Sequence, residues 1–171
     1  HAYLATRSGL EKYYPEALKK FKFVTVFDLL IDYIKSGRIK LDRTKFSGTA
    51  TYHDPCNYGR RSQKRFGHGY FNEPRWILGQ CLENWIDLYP HQMNQICCGG
   101  GGGALVNGYN EERIFYARRK FDQIKATGAD MIVVPCHSCH GQLNAVKKDH
   151  DMADLEIKYL WELVADCLIL P

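Results

Sequence analysis

The sequence predicts an α/β fold in which strands and helices alternate around a mostly parallel sheet. Met131–Val134 is a short, wholly apolar run of the kind that forms buried parallel strands. Segments with apolar residues at helical spacing stand before and after it, and this alternation is typical of Rossmann-like folds. The chain has 171 residues, 45% apolar and 25% charged, which predicts one soluble domain covering residues 1–171.

The first half of the chain is expected to contain two helices and two strands. Apolar residues at helical spacing predict a helix over residues 15–35, and a run rich in threonine and aromatic residues predicts a strand over residues 46–52. A second helix is predicted over residues 74–89. A second strand is expected to end at residues 96–98, where two cysteines stand side by side.

The second half is expected to continue the alternation. A long helix is predicted over residues 110–127, and Gly128 marks its end. The apolar strand Met131–Val134 follows and leads directly to Pro135 and Cys136. A last amphipathic helix is predicted over residues 154–168. Each cysteine motif then follows a strand, so the motifs are expected along one edge of the sheet, where α/β folds place their sites.

Composition excludes some classes of function. A net charge of +4 and a pI near 8.6 come without a long lysine or arginine run, so no nucleic-acid partner is predicted. The apolar runs are too short to span a bilayer. The chain opens with His1 rather than methionine and shows no signal-like apolar segment, which predicts a fragment of a longer protein.

Seven cysteines suggest metal binding or thiol chemistry rather than a disulfide scaffold, because their number is odd and no secretory signal precedes them. Five lie in motifs: Cys56 in YHDPC, Cys97 and Cys98 before five glycines, and Cys136 and Cys139 in PCHSC. A CxxC pair brings two sulfurs to one metal centre. The other two, Cys81 and Cys167, are expected to pack as small apolar groups on helical faces.

The glycine run after Cys98 is expected to approach a bulky group closely. Gly99, Gly100 and Gly101 lack a Cβ, so their backbone can turn sharply and offer amide N–H groups to anionic sulfur. A phosphate loop is disfavoured because the run lacks a GK[ST] ending. These three glycines are therefore the predicted cofactor-binding residues.

The motifs resemble a known family. A lone cysteine in YHDPC, then CCG, then CxxC, with about forty residues between successive motifs, is similar to the cysteine-rich CCG domain of heterodisulfide reductase catalytic subunits. The resemblance covers roughly residues 21–168. CCGGGGG, the opening HAYLATRSGLEKYYPE and GYFNEPRWIL are most similar to the DsrK branch, which serves the Dsr membrane redox complex. The upstream ferredoxin-type cysteine motifs of full-length members do not occur in this sequence.

The resemblance implies a cofactor and a reaction. It implies that Cys56, Cys97, Cys98, Cys136 and Cys139 bind a non-cubane 4Fe-4S cluster that reduces or forms a disulfide or trisulfide on a partner. A zinc site using four of the five thiolates, or a purely redox or structural thiol role, stays open from the residues alone. Zinc is also expected as a substitute in protein made in air.

The resemblance also implies partners and a place in the cell. The expected partners are a DsrC-like small sulfur-carrier protein and a membrane subunit that exchanges electrons with quinone. The domain is then expected in the cytoplasm, peripheral on the membrane through that subunit. Two alternatives are a reductase of the coenzyme M–coenzyme B heterodisulfide and a subunit of a lactate or glycerol-phosphate oxidoreductase. A zinc-stabilised interaction module without catalysis is the alternative from a different class.

Histidines and basic residues near the cysteine motifs are further candidates. Disulfide cleavage consumes protons, so His53, His137 and His140 are predicted as catalytic proton donors, with hydrogen-bonded scaffold roles as the alternative. The basic group after Cys56 is expected either to balance an anionic cluster and receive an acidic partner or to form a solvated helix face. A second basic group is expected on the outer face of its helix. The two groups are Arg60, Arg61, Lys64 and Arg65, and Arg118, Arg119 and Lys120.

Overall fold

Four parallel strands form one sheet in the computed structural model, which describes residues 2–170; His1 and Pro171 lie outside the described residues. The strand order is β2-β1-β3-β4, and every neighbouring pair is parallel. The predicted Rossmann-like α/β class with a parallel sheet is confirmed. The strands are β1 Ala50–Tyr52, β2 Trp85–Asp87, β3 Met131–Val134 and β4 Glu156–Tyr159.

Eight α-helices surround the sheet within residues 2–170. Three single turns of 3₁₀ helix, Gln92–Asn94, Ala104–Val106 and Lys148–His150, lie in the connections. The helices are α1 Ala2–Tyr13, α2 Pro15–Lys20, α3 Val26–Lys35, α4 Arg60–Phe66, α5 Asn72–Cys81, α6 Asn110–Thr127, α7 His137–Val146 and α8 Leu160–Asp166. No helix within the described residues is both long enough and apolar enough to cross a membrane.

The sheet has an apolar core on each face, because successive side chains of a strand point to opposite sides. Met131 and Val133 of β3 belong to the core that contains residues of α3, α5 and α8. Ile132 and Val134 belong to the core formed with α6 and α7. All four side chains are buried, as the wholly apolar sequence of β3 requires. The sheet is therefore covered by helices on both sides.

Two elements have the bounds that the sequence predicts. Helix α6 runs from Asn110 to Thr127, and Gly128 ends it in the left-handed conformation with φ of 65°. Strand β3 runs from Met131 to Val134 as predicted. The predicted strand over residues 46–52 exists as the shorter β1, whose three residues pair with both β2 and β3.

The single helix predicted over residues 15–35 is wrong. The chain forms α2 and α3 with an extended break between them, because Thr25 caps α3. The Thr25 hydroxyl accepts from the Asp28 amide at 3.3 Å, and the Asp28 carboxylate accepts from the Thr25 amide at 2.8 Å. This capping box starts a new helix in the middle of a continuous apolar pattern.

The helix predicted over residues 74–89 is wrong in its second half. Helix α5 starts at Asn72 and ends at Cys81, and Trp85–Asp87 forms β2 against β1. The Thr51 hydroxyl also donates to the Ile86 carbonyl at 2.8 Å. The strand predicted to end at residues 96–98 is wrong too: β2 ends at Asp87, and a 3₁₀ turn and an irregular segment carry the chain to Cys97.

The helix predicted over residues 154–168 is also wrong in its first part. Glu156–Tyr159 forms β4, which pairs with β3 over four residues. Helix α8 begins only at Leu160, and the Glu162 carboxylate accepts from the Tyr159 amide at 2.9 Å to cap it. Pairing with the buried central strand decided the conformation of this short amphipathic segment.

The strand order creates a switch point between β1 and β3. From β1 the chain leads to β2 on one side, and from β3 it leads to β4 on the other. In open α/β sheets the connections diverge at such a point and leave a crevice beyond the carboxyl ends of the strands. Cys56 follows β1 and Cys136 follows β3, so both lie at this crevice.

Candidate metal centre

The motif cysteines surround one cavity of about 260 Å³ at the switch point. Two of the three motifs reach it from strand ends, and the third reaches it from the irregular segment after the 3₁₀ turn Gln92–Asn94. Arg60, Arg61, Gly101 and Gly102 also line the cavity. The five cysteines that line it are Cys56, Cys97, Cys98, Cys136 and Cys139.

Cys56 lies between β1 and α4 and is held by two side-chain donors. The Gln95 amide donates to its Sγ at 3.3 Å, and the Arg60 guanidinium donates at 3.8 Å. The pKa of Cys56 is nevertheless raised to about 12, because its thiol hydrogen-bonds to Cys97 and because it is partly buried.

The adjacent cysteines have opposite exposure. Cys97 is exposed, and the Gly99 amide donates to its Sγ at 3.4 Å. Cys98 is buried, and its Sγ lies 3.4 Å from that of Cys139. Hydrogen bonds from Cys139, from Cys97 and from the Gly100 amide hold the pKa of Cys98 well below its ordinary value. Cys98 thus lies at the bottom of the cavity, where these hydrogen bonds favour its thiolate form, and Cys97 stands at the mouth.

The CxxC pair uses the start of α7. Cys136 is the residue before the first turn, where helix amide groups are free to donate. Its pKa is lowered to about 6, first by a hydrogen bond from the Cys139 thiol and then by the backbone amides of Cys139 and Ser138. Burial opposes this effect. The pKa of Cys139 is raised because its proton is shared with Cys136 and Cys98.

The glycine loop lies against α7. A Cβ on Gly100 would stand 2.5 Å from the Gln142 Cβ and 3.0 Å from the Ser138 carbonyl oxygen, so this position requires glycine. Gly99 has φ of 87°, the left-handed conformation. A Cβ on Gly101 would meet nothing within 4 Å. Of the three glycines predicted to bind the cofactor, two are thus required by the backbone and the third borders the cavity.

His53 follows β1 directly and is fully buried beside the cysteines. Within residues 2–170, neither ring nitrogen has a hydrogen-bond partner. The nearest ring nitrogen and the sulfurs of Cys98 and Cys139 all lie within 4.8 Å of one another. Burial, and then the charge of Lys120, lower the pKa of His53 to about 3, so the ring is neutral. The predicted proton-donor role of His53 stays a prediction.

His137 and His140 lie on α7 and contact Tyr159 of β4. The His137 Nδ1 lies 2.7 Å from the Tyr159 hydroxyl, and His137 is exposed. The His140 ring stacks on Tyr159 with centroids 4.0 Å apart, and its Nε2 donates to the Ile157 carbonyl at 3.1 Å. His140 therefore has scaffold contacts, whereas His137 combines exposure with a position directly after Cys136. Their catalytic roles stay predictions.

The expectation that Lys120 lies on the outer face of α6 is wrong. Its side chain is fully buried, and its ammonium donates to Gln123 at 2.6 Å. Burial lowers the pKa of Lys120 to about 8, and the negative charges of Cys98 and Asp54 oppose that effect. Arg118 and Arg119 are exposed, as expected. No short motif identifies Lys120, because it directly follows the solvent-facing Arg118 and Arg119.

Two polar networks behind the site were missed from the sequence. Asp54 is buried and accepts two hydrogen bonds from Arg75, each at 2.8 Å, and Arg75 also binds Asp87 of β2 at 2.7 and 2.8 Å. Arg113 and Gln142 join α6 to α7 by a 2.9 Å hydrogen bond. The only hint of these networks in the sequence is that Asp54 stands two residues before Cys56. Its partner Arg75 is far away along the chain, so no local pattern joins them.

The basic group after Cys56 occupies α4. Arg60 and Arg61 line the cavity, and Arg60 also donates to the Gln95 carbonyl at 3.0 Å. Arg65 forms an ion pair with Glu11 at 3.1 Å, and Lys64 is exposed. One end of α4 therefore provides positive charge at the site, and the other end is a solvated face.

Cys81 and Cys167 lie away from the cavity, in the core on the opposite face of the sheet. Both are fully buried, and the Cys167 thiol donates to the Cys81 carbonyl at 3.5 Å. Burial raises the pKa of both thiols. The expected core packing of both cysteines is confirmed.

Comparison with known proteins identifies the family. The model of the CCG family, described as a cysteine-rich domain, matches residues 50–144, and this range contains all five cavity cysteines. This chain belongs to the CCG cysteine-rich domain family. The predicted family is thus confirmed, and the matched range runs from β1 into α7 of the CCG domain.

Named relatives of this CCG domain are redox proteins. It is 31% identical over 149 residues to a component of the dihydromethanophenazine:CoB–CoM heterodisulfide reductase of Methanosarcina mazei, covering 86% of this chain and 34% of the relative. It is 28% identical over 155 residues to the Hdr-like menaquinol oxidoreductase iron-sulfur subunit of Archaeoglobus profundus, covering 86% and 27%. It is 26% identical over 147 residues to the EtfAB:quinone oxidoreductase of Syntrophomonas wolfei, covering 81% and 19%. The chain thus spans about a third or less of these relatives.

The residues present fit an iron-sulfur centre. Soft thiolate ligands suit iron-sulfur clusters, and five of them border a single cavity. Amide groups of the glycine loop already donate to Cys97 and Cys98, as they do around anionic sulfur. The buried ring nitrogens of His53 lack partners among the described residues. The homology and the thiol set together support a heterodisulfide-reductase-like redox role.

Proposed function

We propose that this CCG domain holds a non-cubane 4Fe-4S cluster and reduces or forms a disulfide or trisulfide on a partner. The observation that carries the proposal is the set of five thiols around one cavity, with Cys97 exposed at its mouth. Four thiolates complete an ordinary cubane cluster, so a fifth in the same cavity favours a different cluster. The ligands would be Cys56, Cys97, Cys98, Cys136 and Cys139.

Such a cluster, when bound, supplies electrons and an iron position to which a substrate sulfur can bind. The protein residues hold and shield the centre. Gly99 and Gly100 amides stabilise sulfur charge, Arg60 adds a positive charge beside Cys56, and the buried Cys98 and Cys139 exclude water from the inner side. His137, exposed and directly after Cys136, would deliver the proton to the leaving thiolate.

A second cavity beside Cys97 supports a protein or peptide substrate with negative charge. It measures about 430 Å³ and is lined by Cys97, Arg60, Tyr116 and Arg119. Tyr116 and Arg119 are exposed on α6. A cysteine-bearing arm could lie along this cavity with its sulfur at Cys97 and its carboxylates at the two arginines. A DsrC-like small sulfur-carrier protein is the proposed partner, in keeping with the resemblance of CCGGGGG and GYFNEPRWIL to the DsrK branch.

The names of the relatives support a complex with a quinone-linked membrane subunit. One relative is named as a menaquinol oxidoreductase subunit and another as a quinone oxidoreductase. We place the CCG domain on the cytoplasmic side of the membrane, attached through such a subunit. Reduction of the coenzyme M–coenzyme B heterodisulfide is the second candidate, because a relative 31% identical to this chain carries that activity in its name.

Metal loading tests the proposal. Anaerobic reconstitution with iron and sulfide should load about four irons per chain and produce paramagnetism unlike that of an ordinary cubane. One equivalent of zinc with no iron uptake under the same conditions would instead support a zinc-stabilised interaction module. The measurements are iron, sulfide and zinc content, visible absorbance and electron paramagnetic resonance.

Two cysteine variants separate ligand loss from a packing defect. Cys98→Ala should lose the cluster absorbance, because a thiolate at the bottom of the cavity is removed. Cys81→Ala should keep iron and absorbance while losing about 1 kcal/mol of unfolding free energy, because it leaves only a small cavity in the opposite core. An intact spectrum in Cys98→Ala together with a lost one in Cys81→Ala would show that the ligand set is wrong.

A further inference from the structure

His53 has an environment that a buried histidine rarely keeps without a partner. Its side chain is fully buried, and neither Nδ1 nor Nε2 has a hydrogen-bond partner among the described residues. Leaving a buried polar group unpaired costs about 1–3 kcal/mol. No described side chain or backbone group compensates this cost, so the ring requires a partner from outside the chain.

The surroundings of His53 identify the kind of partner. A ring nitrogen of His53 and the Sγ atoms of Cys98 and Cys139 lie within 4.8 Å of one another. The two sulfurs are 3.4 Å apart, close to the separation of about 3.8 Å expected for two thiolates on one tetrahedral metal with metal–sulfur bonds of about 2.3 Å. Imidazole nitrogen and thiolate sulfur together are ligands of iron and of zinc.

The backbone holds these three ligands in place from separate elements. The His53 amide donates to the Val133 carbonyl of β3 at 3.0 Å, which fixes His53 to the centre of the sheet. Cys139 lies within α7, and Cys98 is held by the glycine loop against that helix. The Asp54 carboxylate, next to His53, is bound by Arg75. A ligand set fixed before metal binding is favourable for affinity.

We propose that His53 is a nitrogen ligand of the metal centre and shares one metal ion with Cys98 and Cys139. The centre then has mixed nitrogen and sulfur ligation at its inner side, opposite the exposed Cys97. The inference rests on the metal centre of the proposed function, and it assigns His53 a role other than the proton donor expected from the sequence. A neutral imidazole adds no negative charge, so it should keep the reduction potential higher than a thiolate would.

Spectroscopy of histidine-labelled protein tests the inference directly. Protein loaded anaerobically with iron and sulfide, with and without ¹⁵N-histidine, should show a strongly coupled histidine nitrogen by pulsed electron paramagnetic resonance. His53→Cys should keep the iron, lose this coupling and have a lower midpoint potential, because a thiolate replaces the imidazole. His140→Ala should retain the coupling, since the His140 Nε2 is already bound to the Ile157 carbonyl.

The outcomes separate this inference from the proposed function. An iron-loaded wild-type protein without strong histidine coupling would overturn the nitrogen ligand and leave the cluster proposal standing. If the protein takes up zinc and no iron, the cluster proposal fails, and zinc K-edge absorption then decides about His53. A mixed nitrogen and sulfur shell that becomes all sulfur in His53→Cys supports the ligand, and an all-sulfur shell in the wild type overturns it. The wild-type measurement does not depend on any variant folding.

Discussion

Lys120 shows how much a single buried charge depends on its surroundings. Its side chain is fully buried, and the negative charges of Cys98 and Asp54 stabilise its ammonium. Burial has the larger effect and lowers its pKa from 10.5 to about 8. A metal centre with net negative charge would stabilise the same ammonium further. Lys120 thus favours an anionic occupant of the cavity over a neutral one.

Lys120→Met should make the metal-free protein more stable at neutral pH. Because the pKa of Lys120 is lower in the folded than in the unfolded state, wild-type stability should rise as pH increases from about 8 to 10.5. The variant lacks this rise, so its advantage should be about 3 kcal/mol below pH 8 and vanish near pH 10.5. Urea unfolding of both proteins at several pH values under reducing, anaerobic conditions measures the difference.

Lys125→Met is the matched control, because Lys125 lies on the same helix with a partly exposed side chain. It should change stability little and leave the pH profile parallel to that of the wild type. Parallel profiles for Lys120→Met would mean that Lys120 keeps its ordinary pKa in the folded state, and the burial argument would fail. Metal loading should shrink the advantage of Lys120→Met, because the centre then stabilises the ammonium.

At the scale of elements, the contact between the glycine loop and α7 determines the cysteine geometry. Cys98 enters the loop, while Cys136 and Cys139 are carried by the start of α7. Gly100 lies directly on this helix, where a side chain would overlap Gln142 and the Ser138 carbonyl. Gln142 is itself held by Arg113 of α6. A displacement of the loop should therefore move the sulfurs of Cys97 and Cys98 relative to those of Cys136 and Cys139.

Gly100→Ala and Gly101→Ala should behave differently, although the residues are adjacent. Gly100→Ala should push the loop away from α7, lose most of the bound iron and cost about 1–3 kcal/mol of unfolding free energy. Gly101→Ala should retain the iron, because a methyl group there meets no atom within 4 Å and its φ is not positive. Equal iron content in the two variants after identical anaerobic reconstitution would show that the contact between Gly100 and α7 does not control iron binding.

At the scale of the whole molecule, the site joins two kinds of segment: strand ends that the sheet holds in place, and an irregular loop that no strand or helix holds. The ends of β1 and β3 are held by backbone pairing on both sides and by buried cores on both faces. Residues 95–103 belong to no strand or helix and depend on turns, on Arg60 and on the contact with α7. A metal bound at Cys97 and Cys98 would attach this segment to the sheet.

Metal removal should therefore loosen one part of the molecule before the rest. Amide hydrogen exchange of metal-free and metal-loaded protein should be more than about tenfold faster without metal at residues 95–103. Exchange in β3 should change little, because its amides are paired with β1 and β4 within the core. A uniform increase over all elements would instead show that the fold as a whole depends on the metal, as in zinc fingers.

Features that depend on neighbouring residues could be derived from the sequence alone. Local signals mark the apolar run of β3, the helical spacing of α6 with Gly128 at its end, and the three cysteine motifs. The structure has both β3 and α6 at the expected bounds. The motifs also led to the correct family. The ligand and catalytic roles of the site residues stay predictions, although the structure does bring the five cysteines to one cavity.

Only the tertiary structure decided the features that depend on distant partners. Trp85–Asp87 and Glu156–Tyr159 are strands because β1 and β3 offer them paired backbone groups, which a helical apolar period cannot reveal. The burial of Lys120 and of the His53 ring, which has no partner in the part of the chain that the structure describes, likewise follow from elements that pack around them. Conformation and pKa in such positions are set by burial and pairing between residues far apart in sequence, so one-dimensional spacing contains no signal for them.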